Sequence, residues 1–227
     1  KKMLRAVAQE YSRGRMLFVL TTNLDAQRPV VWNMGEIARY NTDEALDLFR
    51  NVILASAAIP GALPPVSIPV VAGGKPYDEL HVDGGVTREV FVLPVQAPFK
   101  AFDALYPAPP IRRLYIIKNG KLTPESSVTK PMAISIAARA ILTLTKSQNL
   151  LELYRISRLA QDAGADFNLL AVPPTFTMKA KEFFDPEYQS ALFEEGRKIG
   201  RNGGPWMKKP IPPPVVALPA TGSTAAK

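Results

Sequence analysis

The run Pro76-Tyr77-Asp78-Glu79-Leu80-His81-Val82 closes on Asp83-Gly84-Gly85, and this junction constrains the chain more than any other feature. Alternating apolar and polar residues predict a strand, which sets one carboxylate at the strand's end. The two glycines behind it carry no Cβ, so the backbone is able to turn sharply there and a second element is able to pack closely. Such a carboxylate is either the aspartate of an Asp-Gly turn between two strands, the commoner use of the dipeptide, or a side chain presented for chemistry.

Two upstream stretches bear on that choice. One is Leu54-Ala55-Ser56-Ala57-Ala58-Ile59-Pro60-Gly61-Ala62-Leu63-Pro64-Pro65-Val66; the other is Thr21-Thr22-Asn23-Leu24-Asp25-Ala26-Gln27-Arg28-Pro29-Val30-Val31-Trp32-Asn33-Met34-Gly35. Downstream stand Phe184-Asp185-Pro186-Glu187-Tyr188 and Leu192-Phe193-Glu194-Glu195-Gly196. In this order and spacing around Asp83-Gly84-Gly85, these stretches resemble the later part of a bacterial patatin-like phospholipase domain over residues 4–200. The resemblance implies a layered α/β fold with a mostly parallel or mixed central sheet flanked by helices. It also implies hydrolysis of acyl esters by a serine in a Gly-x-Ser-x-Gly elbow paired with an aspartate in an Asp-Gly-Gly or Asp-Gly-Ala turn. Asp83 then becomes the base, with Gly84 and Gly85 as its supporting turn.

The elbow needs glycines on both sides of the serine, because the strained strand-to-helix turn leaves no room for side chains. None of the chain's ten serines has them, and the glycine-rich oxyanion loop of the family is also missing. The chain therefore reads as the C-terminal portion of such a domain, 1–202, followed by a proline-rich tail, 203–227, that favours extended conformation. Residues 3–11 read as the last turns of a helix without a start signal, which suggests truncation. The nucleophile is then supplied by a segment upstream or by another chain, and this chain alone is expected to be inactive. The alternative is a non-catalytic lipid-binding or scaffold remnant of the same fold.

Composition narrows the chemistry. At 227 residues and 47% apolar content the chain is long enough to bury a core. Cysteine is absent and histidine occurs once, so thiolate and most imidazole metal sites are excluded, and the reading implies no metal and no organic cofactor. No apolar run reaches bilayer-spanning length. The net charge of +8 is either a basic but functionally silent surface or the footprint of a phosphate-bearing partner. Without an aromatic-interleaved basic stretch or nucleic-acid motif, that partner is expected to be a phospholipid or other acyl-ester substrate, with peripheral membrane contact rather than nucleic acid. The family resemblance favours the bacterial envelope or secretion over the cytoplasm.

Strands are expected at 15–22, 29–32, 66–72, 77–82, 112–118 and 167–172. Helices are expected from a cap at Asn41 or Thr42 with Leu46, Phe49, Ile53 and Ala57 facing the core, over 131–162 with a possible break at 146–149, and from Asp185-Pro186 to about 200. His81 shares a strand face with Asp83 and is expected to be partly exposed. Parallel side chains on one strand aim an aspartate poorly at a neighbouring imidazole, so a Ser-His-Asp triad through His81 is disfavoured. Ser56 reads as a packing or capping residue, Asp25 and Arg28 as a turn pair, and Trp32, Met34 and Phe49 as core rather than as the wall of an acyl groove.

Overall fold

Loop length decides which strands of this chain become neighbours. In the computed structural model, which describes residues 1–92, 103, 105–182 and 184–210, β1 (Phe18–Asn23) and β2 (Arg28–Asn33) are joined by four residues. β3 (Val66–Ala72) and β4 (Lys75–Asp83) are joined by Gly73-Gly74 alone. Both glycines have positive φ, +57° and +75°, the combination that a two-residue hairpin turn requires. Connections this short permit only antiparallel pairing. The result is a four-stranded sheet in the order β2-β1-β4-β3, antiparallel throughout.

β5 (Arg113–Lys118) and β6 (Asp166–Ala171) are separated by the 30-residue helix α4 (Ala133–Asp162), and they pair in parallel as a second sheet. The chain is thus a mixed α/β protein, but the mostly parallel or mixed central sheet expected from the sequence is replaced by two separate sheets of opposite kind. Within the first, β1 is central and antiparallel to both neighbours, and it starts at Phe18; Met16 and Leu17 are exposed.

Three helices cover the first sheet: α1 (Lys2–Ser12), α2 (Met34–Tyr40) and α3 (Asp43–Ser56). Leu4, Met34, Ala38, Phe49, Val52 and Ile68 form its core. The sequence reading overlooked α2, whose start is capped by Asn33 Oδ1 accepting from Glu36 N–H at 3.1 Å. Of the two proposed caps for the next helix, Thr42 is the one used, accepting from Ala45 N–H at 3.1 Å; Asn41 instead ends α2 in a left-handed conformation. The buried stripe of α3 runs through Ala45, Phe49, Val52 and Ala55, whereas Ile53 is exposed and Leu46 only partly buried. Both stripes have helical spacing, and the one with small alanines permits the closer approach to the sheet.

The second core gathers Ile116 from β5, Phe167 and Leu169 from β6, and Leu153, Ile156 and Ala160 from α4. Helix α4 runs unbroken through 146–149, where Gln148 and Asn149 find partners outside the helix, as described below. Gly164, at φ +66°, follows its end. Helix α5 (Pro186–Arg201) begins at its expected cap, with Asp185 Oδ1 accepting from Glu187 and Tyr188 N–H.

The stretch 203–210 is not a free tail. Leu169 and Met207 exchange two backbone hydrogen bonds of 2.9 Å, Trp206 meets Tyr115 edge to face at 5.2 Å, and Lys208 Nζ reaches Asp166 Oδ1 and Asn168 Oδ1 at 2.7 Å. The remainder of the proline-rich tail, 211–227, lies outside the described residues.

Candidate functional site

Asp83 is the last residue of β4, and its backbone is held on two sides. Its N–H donates to Ala58 O at 3.0 Å, and its carbonyl accepts from Thr22 Oγ1 at 3.0 Å. A single 3₁₀ turn, Gly84–Val86, follows, and Asp83 Oδ1 caps it by accepting from Gly85 N–H at 2.7 Å. Neither glycine has positive φ. Gly84 is required by close approach instead: a Cβ there would lie 2.6 Å from Leu20 O and 2.9 Å from Leu20 C in β1. A Cβ on Gly85 would lie 3.0 Å from Asp83 Oδ1 and 3.9 Å from Glu89 Cγ, so the hollow over Gly85 is where the two acidic side chains face each other.

Burial pushes the Asp83 carboxyl above the usual carboxylate range, the Gly85 N–H opposes that, and the charge of Glu89 raises it further. A carboxylate is a more effective proton acceptor near neutrality when its pKa is raised. Glu89 itself is compensated: its carboxylate accepts from the buried ammonium of Lys118, at the end of β5, and from the buried amide of Asn149 in α4. Gln148 Nε2 donates to Thr87 O at 2.6 Å, and Thr87 Oγ1 lies 3.0 Å from Thr22 Oγ1. The loop after Asp83 is thereby fastened to the second sheet and to the middle of α4.

Sequence reasoning found Asp83, Gly84 and Gly85 but not Thr22, Thr87, Glu89, Lys118, Gln148 or Asn149. Their sequence separations, 29 residues for Lys118 from Glu89 and 60 for Asn149 from Glu89, leave no local pattern to read.

His81 is fully buried rather than partly exposed. Its Nδ1 lies 2.9 Å from Thr21 Oγ1, which accepts from Trp32 Nε1 at 2.8 Å, and its Nε2 lies 3.3 Å from Glu79 Oε2. Trp32 is donor-only and an ionised Glu79 acceptor-only. The Nε2–H tautomer therefore satisfies every group: Trp32 donates to Thr21, Thr21 to His81, and His81 to Glu79. Both ring nitrogens are occupied without Asp83, so the structure brings no triad together through His81.

The remaining residues divide between packing and backbone support. Ser56 Oγ donates to Ile53 O at 2.8 Å within its own helix end. Asp25 is not the partner of Arg28; its Oδ2 accepts from Leu80 N–H at 2.7 Å, joining the first hairpin to β4. Met34 and Phe49 belong to the first core, and Trp32, partly buried, packs against that cluster. Among the described residues no group of histidines and carboxylates is placed to hold a metal. A groove of about 330 Å³ opens between the start of β5 and the end of α4, lined among others by Leu114, Ile156 and Ala163, and Asp83 is not among its lining residues. No protein-family model, no curated protein and no solved structure matches the chain.

Two stability outcomes follow from this geometry. Gly84→Ala should cost about 1–3 kcal/mol or more by urea unfolding, since the obstructing atoms are backbone, whereas Gly85→Ala should cost less because a side-chain carboxylate is able to move aside. Equal costs would contradict the close-packing role of Gly84. The raised carboxyl of Asp83 makes its ionisation unfavourable in the folded state, so it lowers stability as pH climbs from the unfolded aspartate range through the higher folded value. Asp83→Asn should therefore gain thermal stability over the parent across that window and hold the gain at neutral pH. An advantage that stayed constant down to low pH would show that Asp83 ionises without penalty.

Proposed function

We propose that this chain is the aspartate-bearing portion of a lipid acyl hydrolase of patatin type, a serine esterase acting on phospholipids or related acyl esters. The observation that carries the reading is Asp83: a strand-end carboxylate, half out of water, anchored by one backbone N–H and backed by a glycine under which β1 packs. Catalysis runs through a serine on a segment outside residues 1–227. As the serine oxygen bonds to the ester carbonyl carbon, its proton passes to Asp83, and the carbonyl oxygen takes up negative charge. Asp83 then returns the proton to the departing alkoxide as the tetrahedral centre collapses to an acyl-serine. Water completes the cycle by the same route in reverse, with Asp83 accepting its proton. The oxyanion requires donors that no glycine-rich loop of this chain supplies, so they too belong to the missing segment. Neither a metal nor an organic cofactor enters this scheme.

The substrate class rests on the family resemblance and on the basic surface. Several of its basic groups have an acidic partner already counted in the +8: Lys1 pairs with Asp43, Arg13 and Arg15 with Glu10, and Arg197 with Glu194. Pairs of this kind at the surface leave a weaker attraction for anionic headgroups, which fits peripheral contact. A non-catalytic lipid-binding scaffold is the second reading, favoured by the lack of any Gly-x-Ser-x-Gly among the ten serines.

An assay with p-nitrophenyl acyl esters separates the two readings. Residues 1–227 alone should show no turnover, and the complete protein should be active. In the complete protein Asp83→Asn should lower kcat/KM by about 10²–10⁴-fold, while His81→Ala retains most activity at some cost in stability. An acylated serine within 1–227, or an essential His81 beside a dispensable Asp83, would overturn the assignment; an inactive complete protein would leave the scaffold.

A further inference from the structure

A strand position that belongs to the second core holds a lysine. Leu114, Ile116 and Lys118 share one face of β5 by the two-residue period of a strand, and the first two pack in that core. The Lys118 side chain is only 8% exposed. An ammonium taken this far out of water needs a carboxylate and hydrogen bonds to stay charged. It has one partner group of that kind, Glu89 Oε2, 29 residues earlier in the chain. The buried amide of Asn149 in α4 donates to the same oxygen.

Glu89 stands in a different environment. It lies on the loop after β4 with its side chain 36% exposed. A glutamate in such a place, with no donors behind it, turns its carboxylate to solvent, where water weakens its field on its neighbours. Two buried donors converging on one oxygen hold it inward instead. Across from it is Asp83, since a Cβ on Gly85 would lie 3.0 Å from Asp83 Oδ1 and 3.9 Å from Glu89 Cγ. The loop backbone has fastenings of its own, through Gln148 to Thr87 O and from Arg88 N–H to Gly84 O at 2.8 Å. Lys118 is therefore spare as a support of the loop, and what it controls is the Glu89 side chain.

The other elements around Asp83 bring little charge. β1, β3 and the turn after α3 contribute no charged side chain, and α4 contributes Gln148 and Asn149 there, both neutral. On β4, His81 and Glu79 are bonded to each other, and Arg88 stands beside Glu89 in the loop. Besides burial, which raises the Asp83 carboxyl most, Glu89 supplies the charge that raises it further.

We propose that Lys118 is a positioning residue for Asp83 that acts through Glu89: together with Asn149 it keeps the Glu89 carboxylate at the Asp83 site and out of solvent. The second sheet thereby governs the carboxyl that ends a strand of the first. Its meaning for catalysis rests on the acyl-hydrolase reading, in which Asp83 is the base; the coupling itself does not.

The test is a carbon-13 NMR titration of the carboxyls of residues 1–227, with Asp83 followed in the parent, Lys118→Met, Glu89→Gln and the double variant. Lys118→Met leaves no unpaired buried charge, because Glu89 reaches water, and it should lower the Asp83 midpoint. In the Glu89→Gln background the same change should lower it no further, since no charge remains at 89 to be placed. Asp185, held below the usual aspartate range by the backbone N–H groups of Lys181 and Tyr188, reports folding in the same spectra and should stay low. If Lys118→Met unfolds the chain, Asn149→Ala, which removes the other donor, is read in its place with the same expectation. An Asp83 midpoint that rises or stays put in the folded variant overturns the proposal, as does an equal fall with and without Glu89. No ester enters the titration, so its failure leaves the acyl-hydrolase reading standing, and an inactive complete protein leaves the coupling standing.

Discussion

A carboxylate drawn half out of water beside a second carboxylate, with one backbone N–H as its partner, is the interaction on which the account of this protein turns. Left to itself such a group would swing toward solvent. It does not because Asp83 is fixed before its side chain is considered: its N–H is bound by Ala58, its carbonyl by Thr22, and the next residue is a glycine wedged under Leu20. The side chain inherits its environment from the backbone, and the environment raises its affinity for a proton. An ordinary turn aspartate has no need of this. In solvent it ionises freely, and nothing about a hairpin requires the following glycine to sit where an added Cβ would lie 2.6 Å from the carbonyl oxygen of a neighbouring strand.

The balance around Glu89 explains how two acidic groups share so small a space. Lys118 and Asn149 both donate to the Glu89 carboxylate, whose charge raises the Asp83 carboxyl. Because Lys118 ends β5 and Asn149 lies midway along α4, the same contacts join the antiparallel sheet to the parallel pair. The joint and the surroundings of Asp83 are one set of residues.

Local chemistry made part of this legible in the sequence. Gly73-Gly74 between two alternating runs fixes the β3–β4 hairpin, Asp185-Pro186 fixes the start of α5, and the Asp83-Gly84-Gly85 junction falls at the end of β4 as read. What failed was non-local. The strand expected over 15–22 begins only at Phe18, and antiparallel neighbours on both sides bury Leu20 to Asn23. His81 looked like a partly exposed residue because strand alternation says nothing of Trp32 closing over it at 5.7 Å. Trp206 and Met207 looked like tail because proline-rich composition hides two apolar side chains that dock on Tyr115 and Leu169. The partners of Glu89 lie too far along the chain for spacing to announce them.

The central claim is that Asp83 is held as an unusually basic carboxyl by its place in this fold. Carbon-13 NMR titration of the aspartate carboxyls in residues 1–227, with Asp83 assigned through Asp83→Asn, measures that without any substrate or partner. The account predicts a midpoint for Asp83 above the ordinary aspartate range, falling when Glu89 is replaced by glutamine. A midpoint at or below the ordinary range, unchanged by Glu89→Gln, would mean that Asp83 is a well-solvated turn residue and would contradict the account.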